Sequence, residues 1–330
     1  MEKVDIIVLG AGPAGCAASI RCRQAGLSVV MFDANSEPKI SPGETLHPGV
    51  EPLLKQLGVF DQILQAGFRR HRGIWLKRGD LSQFLPYGED INGPWLGFQA
   101  ERRTLHRILQ QAAVDLEVRL IRKTRPEAVI LEENRVTGVM VDGNYFHATW
   151  TVDATGRSAW LARELKLPAI ICSPPLGVRF GWRNEEIAGF EGQPSLAFRF
   201  DGWDWQAPLA GNQTAWVELR IGELGEGSPG GVNLTWQWRS ECAGPGFFLL
   251  GDAAATLDPS SSHGVLTALM SGIFFGHLVE NYHRKGVNEA VIIEVYRKWL
   301  YLQFEQDRRR LRQHYANSPA GQRFINQSSY

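Results

Sequence analysis

Three short stretches hold residues whose types and spacing suit one chemistry, the holding of phosphates and a ribose. The first is Gly10-Ala11-Gly12-Pro13-Ala14-Gly15, a Gly-x-Gly-x-x-Gly sequence between the apolar run 4–9 and the small-residue stretch 16–25. Gly10 suits a tight turn, Gly12 lets backbone approach a pyrophosphate, and Gly15 lets a following helix pack on the strand before it. That helix would aim its free N–H groups and positive dipole end at the phosphates. Asp33 ends the next apolar run, about 20 residues on, where a carboxylate accepts from ribose hydroxyls. The second stretch is Asp153-Ala154-Thr155-Gly156 and the third is Gly251-Asp252, each at the end of its own apolar run. Each of them alone could be a turn, the Asp153 stretch most readily, whereas the glycine stretch with its strand, helix and terminal acid already reads as dinucleotide binding. In this order they describe one dinucleotide lying across the carboxyl ends of parallel strands.

The elements that must position these residues follow from periodicity. Residues 1–33 read as strand, helix, strand. A loop rich in Pro, Ser and Gly spans 36–48, and Pro48 suits the first turn of a helix to about 57, followed by a second at 61–66. Residues 73–77 and 81–86 read as a hairpin around Gly79-Asp80, and 97–100 is expected to extend the same sheet. A helix over 102–114 leads to a strand at 117–121. Residues 128–132, 135–141 and 145–149 read as an antiparallel excursion, and 151–154 as a further strand running into the Asp153 stretch. Residues 160–165 then read as a helix. Period-two runs at 176–182, 195–200, 215–221 and 232–238 predict an antiparallel sheet. The strand 247–250 precedes Gly251, and a loop over 258–264 launches a helix at 265–282. In the last long helix, 289–314, the apolar residues Val291, Ile292, Val295, Trp299, Leu302 and Leu311 recur at helical spacing. Arg308-Arg309-Arg310 reads as a solvated face, 225–231 as a glycine-rich loop, and the tail after Tyr315 has no periodicity.

Bulk composition narrows the classes. The 330 residues balance 35 basic against 35 acidic side chains, so no nucleic-acid surface is expected. The four cysteines have no metal-ligand spacing, so no metal is expected, and they read as reduced thiols of a cytoplasmic protein. The chain enters a strand within three residues, which leaves no room for a signal peptide. The run 265–279 is broken by Ser271, Gly272, Gly276 and His277, so no transmembrane segment is expected. Tryptophan is abundant at 11 residues, five of them (Trp203, Trp205, Trp216, Trp236, Trp238) close together.

On these motifs the chain resembles the FAD-dependent monooxygenase and tryptophan-halogenase-like flavoproteins, from residue 1 to about 285. The resemblance implies an α/β fold: a Rossmann-like FAD-binding domain of the glutathione-reductase type, with an inserted antiparallel β-sheet substrate domain and C-terminal helices. Residues 1–72, 101–170 and 243–285 would form the FAD-binding domain, 73–100 and 171–242 the substrate sheet, and 286–330 a C-terminal helix and tail. The implied FAD contacts begin with Gly10, Gly12, Pro13, Ala14, Gly15 and Asp33 at the adenosine half. Arg102, ahead of Leu105-His106, serves the pyrophosphate side, Asp153 and Gly156 stand in the second motif before Arg157-Ser158, and Gly251 and Asp252 serve the ribityl and pyrophosphate. The loop Pro42–Pro48 brings Gly43, Glu44 and Thr45 beside the isoalloxazine, and His263, Gly264 and Val265 form the flavin-ring loop.

In that family setting Glu44 poises charge near the reacting centre, His47 moves a proton, and His263 touches the ring or a substrate. A helix start near Gly264, with Ser261 or Ser262 as its cap, would stabilise an anionic flavin through its N–H groups. Trp203-Asp204-Trp205-Gln206-Ala207-Pro208 is similar to a Trp-x-Trp-x-Ile-Pro signature of tryptophan halogenases, with Ala207 in the isoleucine position. It would set Trp203 and Trp205 on the substrate wall. Halogenases also carry a lysine between flavin and substrate, whereas residues 68–72 here read Phe-Arg-Arg-His-Arg, and an arginine stays protonated. The implied activity is that of an FAD-dependent oxidoreductase, a monooxygenase working through a flavin hydroperoxide on an aromatic or peptide-borne substrate. The alternatives are a flavin-dependent halogenase, an isoprenoid-type reductase and a non-catalytic flavin-binding partner protein. With no separate nucleotide domain, reduction would come from NAD(P)H visiting transiently or from a partner flavin reductase.

Overall fold

Five parallel strands form the centre of the molecule, in the order Arg119–Arg122, Val29–Asp33, Glu2–Leu9, Asn144–Asp153 and Phe247–Leu249. A computed structural model describes residues 2–38, 43–185, 191–222 and 232–326. Pro42 and the glycine-rich stretch 225–231 lie outside the described residues. The central strands are near-continuous apolar runs because both faces are covered; Ile6, Ile7, Val8 and Leu9 are all buried. Their register decides the site. Phe32 pairs with Leu9, Leu9 with Asp153, and Asp153 with Leu249. Chain leaving Asp33, Gly10, Ala154 and Gly251 therefore emerges along one edge.

The reading of 145–149 and 151–154 as separate strands is corrected: Asn144–Asp153 is one strand of 10 residues, carried through by the buried Trp150. Its first half pairs antiparallel with Arg135–Val141, which pairs with Pro126–Glu132; its second half pairs with Phe247–Leu249. Helix Pro13–Gln24 packs on helix Gly264–Lys285, and small residues permit the approach. A Cβ on Gly272 would overlap the Ala14 carbonyl, and one on Gly276 would meet Arg21 Cβ at 2.5 Å. All four cysteines are free and buried, and burial pushes the Cys242 thiol up to about 12.

A second sheet has seven strands, in the order Val232–Asn233, Leu176–Arg183, Thr214–Ile221, Gly202–Pro208, Ser195–Arg199, Gly73–Arg78 and Leu81–Pro86. It is mixed rather than wholly antiparallel, because Ser195–Arg199 runs parallel to Gly73–Arg78. Residues 97–100 do not extend it. Gly97–Ala100 instead lies between Glu44–Leu46 and Arg69–His71 in a three-stranded sheet. The run 232–238 splits into two short strands that belong to different sheets.

Helix Glu289–Ala316 covers one end of the second sheet. Its buried residues are Ile292, Ile293, Tyr296, Leu300, Phe304, Leu311 and Tyr315, whereas Val291, Val295 and Leu302 are exposed. The tail is not structureless: Gly321–Asn326 is a short helix whose Phe324 ring stacks on Tyr315 at 4.2 Å between centroids. Among the described residues, no helix is long and apolar enough to cross a membrane.

Candidate active site

A cavity of about 1020 Å³ runs along the carboxyl edge of the parallel strands and continues beneath the seven-stranded sheet. That is at the upper end of the ~300–1,000 Å³ usual for ligand sites. At its first end lie Gly10, Gly12, Pro13, Ala14 and Asp33. Gly10 has φ +100°, and a Cβ there would overlap the Ala154 carbonyl; a Cβ on Gly15 would overlap the Gly10 carbonyl. Gly12 differs, with nothing within 4 Å of the position a Cβ would take and with an ordinary extended backbone. Its open side faces the cavity, as a cradle for phosphate requires. Asp33 accepts from the Ala11 N–H through Oδ2 at 3.0 Å and from the Asn35 N–H through Oδ1 at 2.7 Å. Oδ1 also accepts from the Asn35 side-chain amide at 3.0 Å, so of the carboxylate's about four acceptor sites the one left for a ribose hydroxyl is on Oδ2.

Midway along the cavity are Gly43, Glu44, Thr45, Arg102, Gly156, Gly251 and Asp252. Strand Glu44–Leu46 is anchored on Gly97–Ala100, and Gly43 is required there because a Cβ would meet Leu209 Cδ2 at 2.7 Å. Thr45 Oγ1 donates to Gln99 Oε1 at 2.8 Å. Glu101 accepts from the Arg103 and Thr104 N–H groups and so starts the helix that presents Arg102, whose Nε lies 3.2 Å from Glu44 Oε1. Burial raises the Glu44 carboxyl while Arg102 opposes the rise and Asp252 adds to it. Asp252 is likewise raised by burial, against Arg157 and Arg102. Two cations, Arg102 and Arg157, thus face two carboxyls, Glu44 and Asp252. His106 also lines this stretch; its Nε2 is buried with no partner, and burial pushes the ring down to about 3.

Asp153 does not line the cavity. Its fully buried carboxylate accepts from the Thr155 N–H and hydroxyl through Oδ1 and from the Leu161 and Ala162 N–H groups through Oδ2. It ties the strand end to helix Trp160–Glu164, leaving Thr155, Gly156 and Arg157 to form the wall. A serine cap on the helix beginning at Gly264 is also absent: the preceding residue is His263, and no side chain bonds the first-turn N–H groups. Those N–H groups stay available at the cavity, where Gly264 and Val265 lie.

The far end is apolar. Trp205 lines it with Val178, Phe180, Val217, Leu300 and Phe304. Trp203 reaches the cavity yet is only 1% exposed, and its Nε1 donates to the Tyr315 hydroxyl at 3.0 Å. Tyr315 donates to Asp258 Oδ2 at 3.2 Å, and Trp236 Nε1 donates to the same oxygen at 2.8 Å. His263 lines the cavity with Nδ1 3.2 Å from Asp307 Oδ1. His47 is not on the wall. Its ring stands edge-on to His263 at 6.0 Å, its Nδ1 accepts from the Gly49 N–H, and burial with the neighbouring His263 lowers its pKa. Among the described residues, no lysine lines the cavity. Periodicity gave no sign of Asp307, Asp258 or Tyr315, since their partners are remote in sequence.

The register, the glycine cradle and the Asp33 carboxylate are the features of a dinucleotide-binding α/β protein. Residues 5–163 match the family model of FAD dependent oxidoreductases. That match covers just under half of the chain, and together with the relatives below it supports an FAD-dependent, halogenase-like flavoprotein superfamily. It is 26% identical over 352 residues to a tryptophan 2-halogenase of Chondromyces crocatus, covering 90% of this chain and 65% of that protein. It is 24% identical over 338 residues to a menaquinone reductase of Mycobacterium tuberculosis, covering 85% and 77%. The solved structure of the myxobacterial chondrochloren halogenase shares the fold, with TM-score 0.86 and 19% identity over 96% of this chain and 84% of that one. The chain therefore spans just under two thirds of the length of the tryptophan halogenase it matches.

Proposed function

We propose that the chain is an FAD-dependent oxidoreductase of the monooxygenase type, acting on an apolar aromatic or peptide-borne substrate. The observation that carries this reading is the two-part cavity, polar and phosphate-suited along the sheet edge, then apolar beyond His263. Residues 1–72, 101–170 and 243–285 hold the cofactor in this reading, 73–100 and 171–242 roof the substrate chamber, and 286–330 close its side. Bound FAD supplies two-electron chemistry and, once reduced, reaction with oxygen. The chain's own residues bind, orient and exclude water. Gly12 and the helix behind it take the pyrophosphate and Asp33 the ribose, while the free N–H groups at Gly264 face the ring and favour negative charge there. Trp205 and Phe304 offer aromatic surface to a flat substrate. Electrons come from NAD(P)H entering the same cavity or from a partner flavin reductase.

Halogenation is the second reading, favoured by the halogenase relative and by the Trp203–Trp205 segment on the chamber side. One experiment separates the readings. Protein titrated with FAD is reduced with dithionite, mixed with air, and offered indole and phenol probes with and without bromide. FAD binding, oxygen uptake and halide-independent hydroxylated product are expected. Bromide-dependent brominated product would assign halogenation, product formed without oxygen would assign a reductase, and failure to bind FAD would overturn both.

A further inference from the structure

The long C-terminal helix supplies more than packing. Leu300, Gln303, Phe304 and Asp307 all line the cavity, at the spacing of one helix face. Asp307 is the acid of that face, and its Oδ1 lies 3.2 Å from His263 Nδ1 across 44 residues of sequence. Both side chains are mostly buried, at 15% and 23% exposure. The helix is fixed where it matters. Two turns on, the Tyr315 hydroxyl accepts from the Trp203 indole N–H and donates to Asp258, in the loop that leads to His263. A helix pinned to the sheet and to the histidine's own loop holds Asp307 and His263 in register.

We propose that Asp307 is the positioning residue of a His263 proton acceptor at the ring end of the cavity, and that the substrate is an aromatic with an ionisable O–H or N–H. This rests on the FAD reading above. The carboxylate accepts the Nδ1 proton, which leaves the Nε2 lone pair for a molecule in the cavity. The substrate's O–H or N–H bond breaks, the Nε2–H bond forms, and the resulting imidazolium faces the Asp307 carboxylate while the substrate anion stays over the apolar wall. An ionised phenol, or the anion of a comparably acidic N–H, is the more electron-rich nucleophile, which an oxidising partner requires. The other charged and titratable groups near the pair are few. His47 stands edge-on to His263, Arg310 lies 3.9 Å from Asp307 Oδ1, and Asp258 is turned away toward Trp236 and Tyr315.

The test is ¹⁵N-histidine NMR on the whole chain, with the His263 signals assigned by their loss in His263→Asn. The wild-type neutral ring is expected in the Nδ1–H form. Asp307→Ala should move the tautomer ratio at least about tenfold toward Nε2–H, and Asp307→Glu should restore it. An Nε2–H ring in the wild type, or a ratio that Asp307→Ala leaves unchanged in folded protein, overturns the proposal; the wild-type measurement stands even if the variants do not fold. Adding FAD should then shift the His263 signals and leave those of His283 in place. If FAD moves neither while the tautomer results hold, the pairing survives and the cofactor reading falls.

Discussion

Glycines 12 and 15 stand three residues apart and face opposite constraints. Gly15 is packed so closely against the Gly10 carbonyl that a methyl group has no space, whereas Gly12 looks into the cavity with nothing near it. Gly15→Ala should therefore lower stability by about 2–3 kcal/mol, the range of overpacking and backbone displacement. Gly12→Ala should leave the melting temperature nearly unchanged and weaken FAD binding about tenfold, ~1.4 kcal/mol, because its methyl occupies phosphate space. Thermal melts of the apoprotein with a flavin-fluorescence titration separate the two effects. Equal loss of stability in both variants would contradict the cradle. At this scale the glycine turn and Asp33 were legible from spacing, because chain-local geometry forces those residue types. Asp153 was legible as important, but its task was not. Sequence marks the end of a strand, and only the fold shows that its carboxylate is used up by backbone N–H groups.

Among the elements, the first strand–helix–strand unit follows the sequence within about three residues, since its glycine turn and the pairing of its two strands are set locally. The last helix was placed within two residues, but its apolar positions mix two faces: Ile292 and Leu311 are buried, whereas Val291, Val295 and Leu302 are exposed. Val291, Val295 and Leu302 fit helical spacing as well as Ile292, Tyr296 and Leu300 do, and only the surface it packs on decides between them. That surface includes the bonds from Trp203 to Tyr315 and from Tyr315 to Asp258, and burial raises the Asp258 carboxyl even against its hydrogen bonds. Tyr315→Phe removes the shared hydroxyl and leaves the buried Trp203 N–H without an acceptor. A loss of about 1–3 kcal/mol is expected in urea unfolding, with weaker FAD binding as the Asp258–His263 loop loosens. Unchanged stability would mean that water replaces the hydroxyl.

For the molecule as a whole, buried histidines set the response to acid. His71 is 1% exposed, and burial pushes it from an ordinary 6.5 down to about 4. The folded ring stays neutral in that window while the unfolded chain takes up a proton. Protons therefore favour unfolding, and stability falls as pH drops from 6.5 toward 4, by on the order of 3 kcal/mol at full extent. The raised carboxyls Glu44, Asp252 and Asp258 act with the opposite sign, because in the acidic range they bind protons more readily folded than unfolded. His71→Gln isolates the histidine: its urea midpoint should fall less than the wild type's between pH 6.5 and 4.5. The overall architecture was legible because strand-end motifs and alternating runs are repeated many times along the chain. What escaped notice depended on pairings between distant segments, such as the parallel match of Ser195–Arg199 with Gly73–Arg78, for which no local spacing exists.

The meeting of His263 with Asp307 also imposes an order of assembly. At roughly 5–20 residues per second, the 44 residues between them take about 2–9 s to synthesise. For that interval the nascent chain holds the glycine turn, the parallel strands and the ring-end loop, with the chamber unwalled on one side. In the proposed reading a large flat cofactor has its widest entrance then, and the arriving helix shuts it in. Flavin supply during translation, rather than affinity in the finished protein, would then govern how much of the protein carries its cofactor.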